Sequence, residues 1–192
     1  MDAQQLIALV PLTGGETSAE YPTFFWYMPK MNARYASAPA LEFTLLDAKG
    51  QEIYLARYSL TKSDNRVVGI PGIMSLTLRQ PHALKIGEEY SWYLRVTCDT
   101  TRSINPSDQI VEGSIKRVAL NPNLVRRIQQ ASPEERIVLH ARGKLWYEML
   151  EELVKLRRDR PNDPNLKHAW ETLFVAVGLD RVSQVSIITN SL

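Results

Sequence analysis

Leu84-Lys85-Ile86-Gly87-Glu88-Glu89-Tyr90-Ser91-Trp92-Tyr93-Leu94-Arg95-Val96-Thr97-Cys98 is the stretch that decides the fold. Its first half has the spacing of a tyrosine corner, in which a Tyr at a strand start bonds back to backbone a few residues upstream. Its second half alternates. Tyr90, Trp92, Leu94, Val96 and Cys98 fall on one face at period two, while Ser91, Tyr93, Arg95 and Thr97 fall on the other. That pattern is a β-strand with one face in a core and one toward solvent. Trp92 and Cys98 are read as core packing.

Working outward, the chain before residue 120 is made of short apolar runs broken by Gly, Pro, Asn and Asp. Leu6–Val10, Pro22–Met28, Leu41–Leu46, Ile53–Leu60, Ile73–Leu78 and Ile110–Leu120 join the tyrosine-corner strand to give seven. Asp47-Ala48-Lys49-Gly50 is a short hairpin loop whose glycine suits the left-handed position. Ile73–Leu78 reads as half-buried, with Met74, Leu76 and Leu78 inward and Ile73, Ser75 and Thr77 outward. Seven strands with short connections predict an antiparallel sandwich of immunoglobulin or fibronectin type.

After residue 120 the language changes. Asn121-Pro122, Ser132-Pro133 and Asp163-Pro164 each put a capping oxygen just before a proline, which is how helices start. Ser132-Pro133-Glu134-Glu135 is a capping box. From there an apolar stripe (Ile137, Ala141, Leu145, Met149, Leu153, Leu156, widened by Trp146 and Leu150) predicts one helix to about Asp159. His140, Lys144, Glu148, Glu151, Lys155 and Arg158 take its polar face, with Lys144/Glu148 and Glu151/Lys155 as surface pairs one turn apart. A second helix runs from Pro164 to Val177, burying Leu166, Trp170, Leu173 and Phe174 before Gly178. A short helix over Leu124–Ala131 precedes both. The expectation is an α+β chain: a β-sandwich over residues 1–120, then a helical hairpin over 121–192 that packs on it, because Trp146, Trp170 and Phe174 are too large to leave in water.

Composition narrows the function. The 192 residues carry a net charge of +2, with twelve basic and twelve acidic residues before position 121 and eleven and nine after it. Neither half has the excess that nucleic-acid binding demands. No apolar run is long enough to span a membrane, and the opening residues lack the basic and apolar regions of a signal peptide. A single cysteine forms no internal disulfide. His82, His140 and His168 have no ligand spacing and are read as surface groups. Gly14-Gly15 lacks the lysine and helix of a phosphate loop. Arg157-Arg158-Asp159-Arg160 is favourable charge at a helix end. Neighbouring glutamates on a helix diverge too far to act as a glycosidase pair. The residues therefore call for no metal, no cofactor and no catalytic group.

One surface stands out for binding. With strands of alternating direction, the long connections 29–40, 61–72 and 99–108 fall at one end of the sandwich, where such folds carry recognition. They supply Arg34, Tyr35, Arg66 and Arg102, residue types that anchor interfaces and suit carboxylates or acidic sugars.

Several segments resemble a known family, the mostly cyanobacterial domain of unknown function 928. The resemblance is carried by Leu6–Pro11, Tyr21–Pro29, the tyrosine-corner strand through Asp99, Arg102-Ser103, Val111–Val118 and Leu145–Leu150. Family members usually carry an export signal and lie near caspase-like or surface-adhesin genes, which implies a periplasmic, cell-envelope or secreted role. It supplies no catalytic residue. This chain departs from the pattern in starting almost at its first strand. The expectation is a non-enzymatic interaction module with a protein or acidic-glycan partner. The alternatives are a sandwich-fold carbohydrate-active hydrolase, marked by two facing carboxylates from distant segments, or a structural subunit of an envelope assembly, marked by self-association.

Overall fold

The structure, a computed structural model, describes residues 5–29, 40–60, 72–97, 108–183 and 189–191. Eight strands come first: β1 (Ile7–Ala8), β2 (Gly15–Thr17), β3 (Thr23–Met28), β4 (Ala40–Leu46), β5 (Glu52–Ser59), β6 (Gly72–Thr77), β7 (Glu89–Thr97) and β8 (Gln109–Arg117). Five helices follow: α1 (Pro122–Gln130), α2 (Pro133–Arg142), α3 (Trp146–Asp159), α4 (Pro164–Ala176) and α5 (Asp180–Ser183); β9 (Thr189–Ser191) ends the order. The strands form two sheets, β1-β3-β6-β9 and β2-β8-β7-β4-β5.

The alternation read in the sequence is what builds the larger sheet. Phe43 of β4 pairs with Leu94 of β7, and Leu41 and Leu45 with Val96 and Trp92, so all six side chains share one face. All six are buried. That face meets the smaller sheet through Phe24, whose ring lies 4.8 Å from Phe43 and 5.6 Å from Trp92. Edge-to-face aromatic packing of this kind adds to the area term.

Two expectations change. The sheets are mixed, because β2 runs parallel to β8 and β9 parallel to β6. Three-residue strands of that kind leave no alternation long enough to read. Ile73, on the face of β6 expected outward, is fully buried, so both faces of this end of the strand are covered.

Tyr90 sits at the start of β7, and its hydroxyl accepts the Lys85 backbone N–H at 2.9 Å. This is the geometry of a tyrosine corner. Tyr90→Phe strands that amide, which costs roughly 1–3 kcal/mol. The variant is expected to unfold at lower urea than the parent, and coincident urea curves would remove this bond from the account.

The helices start where the caps stand. Asn121 Oδ1 accepts the Asn123 N–H, Asp163 Oδ1 those of Asn165 and Leu166, and Ser132 and Glu135 exchange both bonds of the capping box. The helical half is nonetheless not a hairpin, and the helix expected over 132–159 is two. The chain leaves α2 at Gly143, passes through Lys144 at φ 58, and re-enters a helix at Trp146. A left-handed lysine costs conformational energy. What offsets it is tertiary: Leu145 makes a parallel bridge with Glu16 of β2 and is fully buried. The apolar stripe holds from Leu145 onward, where Met149, Leu153 and Leu156 are buried, but not in α2, which buries Leu139 and His140 and leaves Ala141 exposed.

A candidate binding cleft at the junction of sheets and helices

Leu145-Trp146-Tyr147-Glu148 joins the two parts of the molecule, and each side chain does so differently. Trp146 donates its indole N–H to the Leu9 carbonyl at 2.9 Å. Tyr147 enters between the sheets: its hydroxyl accepts the Trp92 indole N–H at 3.0 Å and donates to the Ser114 carbonyl at 3.0 Å. Its ring lies 5.6 Å from Phe24. Burial pushes its phenol far above the ordinary range, so it stays a neutral donor and acceptor at any physiological pH.

Glu148 is the polar part of the joint. Its Oε1 accepts from Thr17 Oγ1 (3.0 Å), Ser18 N (2.6 Å), Ser18 Oγ (2.8 Å) and Ala19 N (3.1 Å). Its expected surface pairing with Lys144 does not form, because Lys144 belongs to the interhelical turn rather than to α3. Glu151, one turn further along α3, faces Thr23 of β3, and burial holds its carboxyl above the usual range. The second face of β3 is therefore covered as well, and all six of its residues are buried.

The Gly14-Gly15 pair, which lacks the features of a phosphate loop, serves this joint. A Cβ on Gly15 would lie 2.9 Å from both Trp146 Cβ and Tyr147 Cε2. Gly14, at φ 80, closes a turn through its N–H to the Pro11 carbonyl (2.8 Å), and a Cβ there would meet Ser114 Oγ. Only glycine permits both approaches.

His140 also departs from its expected polar face. It is 6% exposed, and its Nδ1 has no hydrogen-bond partner among the described residues. Burial lowers its pKa, opposed by Glu148 and Glu152 and reinforced by Arg136. A histidine that resists protonation when folded takes up its proton more readily when unfolded, so acid below its ordinary value of about 6.5 destabilises the fold. Between pH 7 and about pH 5 the parent should lose more stability than His140→Gln does. Parallel losses in urea unfolding would show that His140 titrates freely.

Where α2, α3 and α4 face the larger sheet, a cleft of about 520 Å³ opens. Pro11, Thr13, Gly14 and Gly15 form its lip, Trp146, Met149 and Leu173 its apolar wall, and Glu16, Glu89, Lys116 and Lys144 its charged groups. Register orders three of those charges. Glu16 lies opposite Lys116, and Glu89 opposite Lys116 from the other side. At a strand spacing of about 4.8 Å the two glutamates stand roughly 10 Å apart at the backbone, with a lysine between them.

Of the residues singled out in the sequence, Tyr90, Trp92, Trp146 and Trp170 are all buried in the core. Arg34, Tyr35, Arg66, Arg102 and Cys98 lie outside the described residues. The arginine run at the end of α3 pairs within the protein: Arg157 lies over Trp170 at 5.1 Å, and the exposed Arg160 pairs with Glu134 and Asp163. No group of three metal-ligating side chains occurs among the described residues, and no helix there is long and apolar enough to cross a membrane. The cleft residues went unread in the sequence because they come from elements far apart in the chain; the Gly14-Gly15 pair was the one local signal.

A two-sheet β region joined to a helical region through one aromatic segment is the class that these contacts define. The chain belongs to the family described as Domain of Unknown Function (DUF928), whose model matches residues 1–187. No curated protein matches the chain. Among solved structures, it is similar to one described as "putative beta-galactosidase from bacteroides fragilis", at 14% identity and a TM-score of 0.32. That match covers 59% of this chain and 16% of the other.

Proposed function

We propose that this protein is a non-enzymatic interaction module whose binding surface is the junction cleft. The scaffold is read as immunoglobulin-like: β1-β3-β6 follow the order of the first sheet of that fold, and β8-β7-β4-β5 that of the second, with the tyrosine corner on the expected strand. Ends and edges of such sandwiches commonly carry recognition. Its setting in the cell envelope or the secreted space is part of the same proposal and rests on the family resemblance alone.

The cleft carries the reading. It is concave, apolar along one wall, and lined by two glutamates and two lysines. Balanced charge favours a protein surface over an acidic glycan, which would meet Glu16 and Glu89. Hydrolysis of a glycosidic bond needs two carboxyl groups with the sugar or a water between them. Here Lys116 occupies that middle position, which favours binding over the hydrolase alternative.

Immobilised parent chain and the double variant Lys116→Glu/Lys144→Glu, with matching circular dichroism, test this on one native extract. The parent is expected to retain proteins that the variant loses. Equal retention of the same proteins would place the binding surface elsewhere. Sugar turnover that disappears in Glu16→Gln or Glu89→Gln would restore the hydrolase reading.

A further inference from the structure

We infer that the partner of the cleft is a second copy of this chain, which inserts Leu12 into it across a two-fold axis. The inference rests on the reading of the cleft as a binding surface and names what fills it.

Leu12 is completely exposed. A single exposed leucine is ordinary on a protein surface; its position is what sets this one apart. Pro11 and Thr13 both line the cleft, so Leu12 projects from the cleft's own lip. The turn that carries it is fixed at both ends. The Gly14 N–H bonds the Pro11 carbonyl at 2.8 Å, and Gly14 lies so close to Ser114 that no side chain fits between them. The leucine is thus held outward by a clamped turn.

A rigid apolar knob beside an apolar-walled hole is self-complementary. Rotating one copy by 180° about an axis between them places each knob at the other's hole, which is the isologous arrangement of two-fold dimers. The charges point the same way. Glu16, Lys116 and Glu89 alternate in sign across three adjacent strands, and Lys144 makes the groups around the cleft two acidic and two basic. A rim of balanced charge carries no net repulsion toward its own copy, and with the two-fold displaced by one strand each lysine meets a glutamate, whereas a partner of one charge sign would meet repulsion at half of it. Trp146, Met149 and Leu173 supply the apolar wall that a leucine needs.

Light scattering on the full chain through a concentration series tests the inference. The mass is expected to approach twice 21.9 kDa as concentration rises. Leu12→Asp, which alters no buried residue, should raise the dimer dissociation constant at least tenfold and leave the melting temperature of the diluted monomer unchanged. Lys144→Glu, which breaks the charge balance, should weaken the dimer independently. A parent chain that stays at 21.9 kDa throughout, or a dimer as strong in Leu12→Asp as in the parent, overturns the inference. The broader reading fails separately: it is lost only when the rim double variant retains every protein that the parent captures.

Discussion

Trp146→Ala is expected to lower the stability of the whole chain by about 3–5 kcal/mol, the range for a large aromatic removed from a packed site. For a chain of this length that is on the order of a 10 °C fall in melting temperature. The effect should exceed that of truncating an equally buried side chain on the far side of α3, because Trp146 also satisfies the Leu9 carbonyl. Without the indole, that carbonyl loses its partner and the cleft loses part of its apolar wall. Thermal melts followed by circular dichroism measure the shift. A fall of less than about 1 kcal/mol would show that the indole is not part of the joint.

The second large effect is electrostatic. Glu148→Ala removes one acceptor from four donors at Thr17, Ser18 and Ala19. Breaking a partly buried, charge-assisted network in this way costs about 1.5–3 kcal/mol. Glu148→Gln keeps an acceptor oxygen in place and should fall between alanine and the parent. Glutamine as damaging as alanine would mean that charge, and not hydrogen bonding, holds the segment. Alanine as stable as the parent would mean that water replaces the carboxylate without loss.

What the sequence made legible was local. Tyr90 could be placed because a tyrosine corner has a fixed spacing of a few residues, and the helix starts at Pro122, Pro133 and Pro164 because a cap and a proline are adjacent. Strands β4 and β7 could be placed because seven and nine residues give alternation room to show. The break at Gly143-Lys144-Leu145 was hidden because the apolar spacing of the sequence runs on across it, although α2 in fact buries Leu139 and His140 and leaves Ala141 exposed. Its cause, the bridge from Leu145 to Glu16, joins residues far apart in the chain. Glu148 misled for the same reason. A lysine four residues earlier is the partner that helical spacing offers, whereas the true donors are about 130 residues upstream. His140 followed the break: once α2 and α3 are separate helices, a residue on the outer face of one long helix becomes part of the corner between two.

The cleft was the least legible feature of all. Its groups come from β2, β7, β8, the α2–α3 turn, α3 and α4, and no two of these elements announce each other in sequence. It exists only while the helices stay on the sheets. Its function, on this account, depends on the two regions opening and closing as one unit. Amide hydrogen exchange along a denaturant series measures that directly. The amides of Trp92–Val96 in β7 and of Leu150–Val154 in α3 are expected to exchange with the same opening free energy and the same denaturant slope. Amides of α3 that open at several kcal/mol lower cost while those of β7 remain protected would show helices docked loosely on an independent sandwich, and would contradict it.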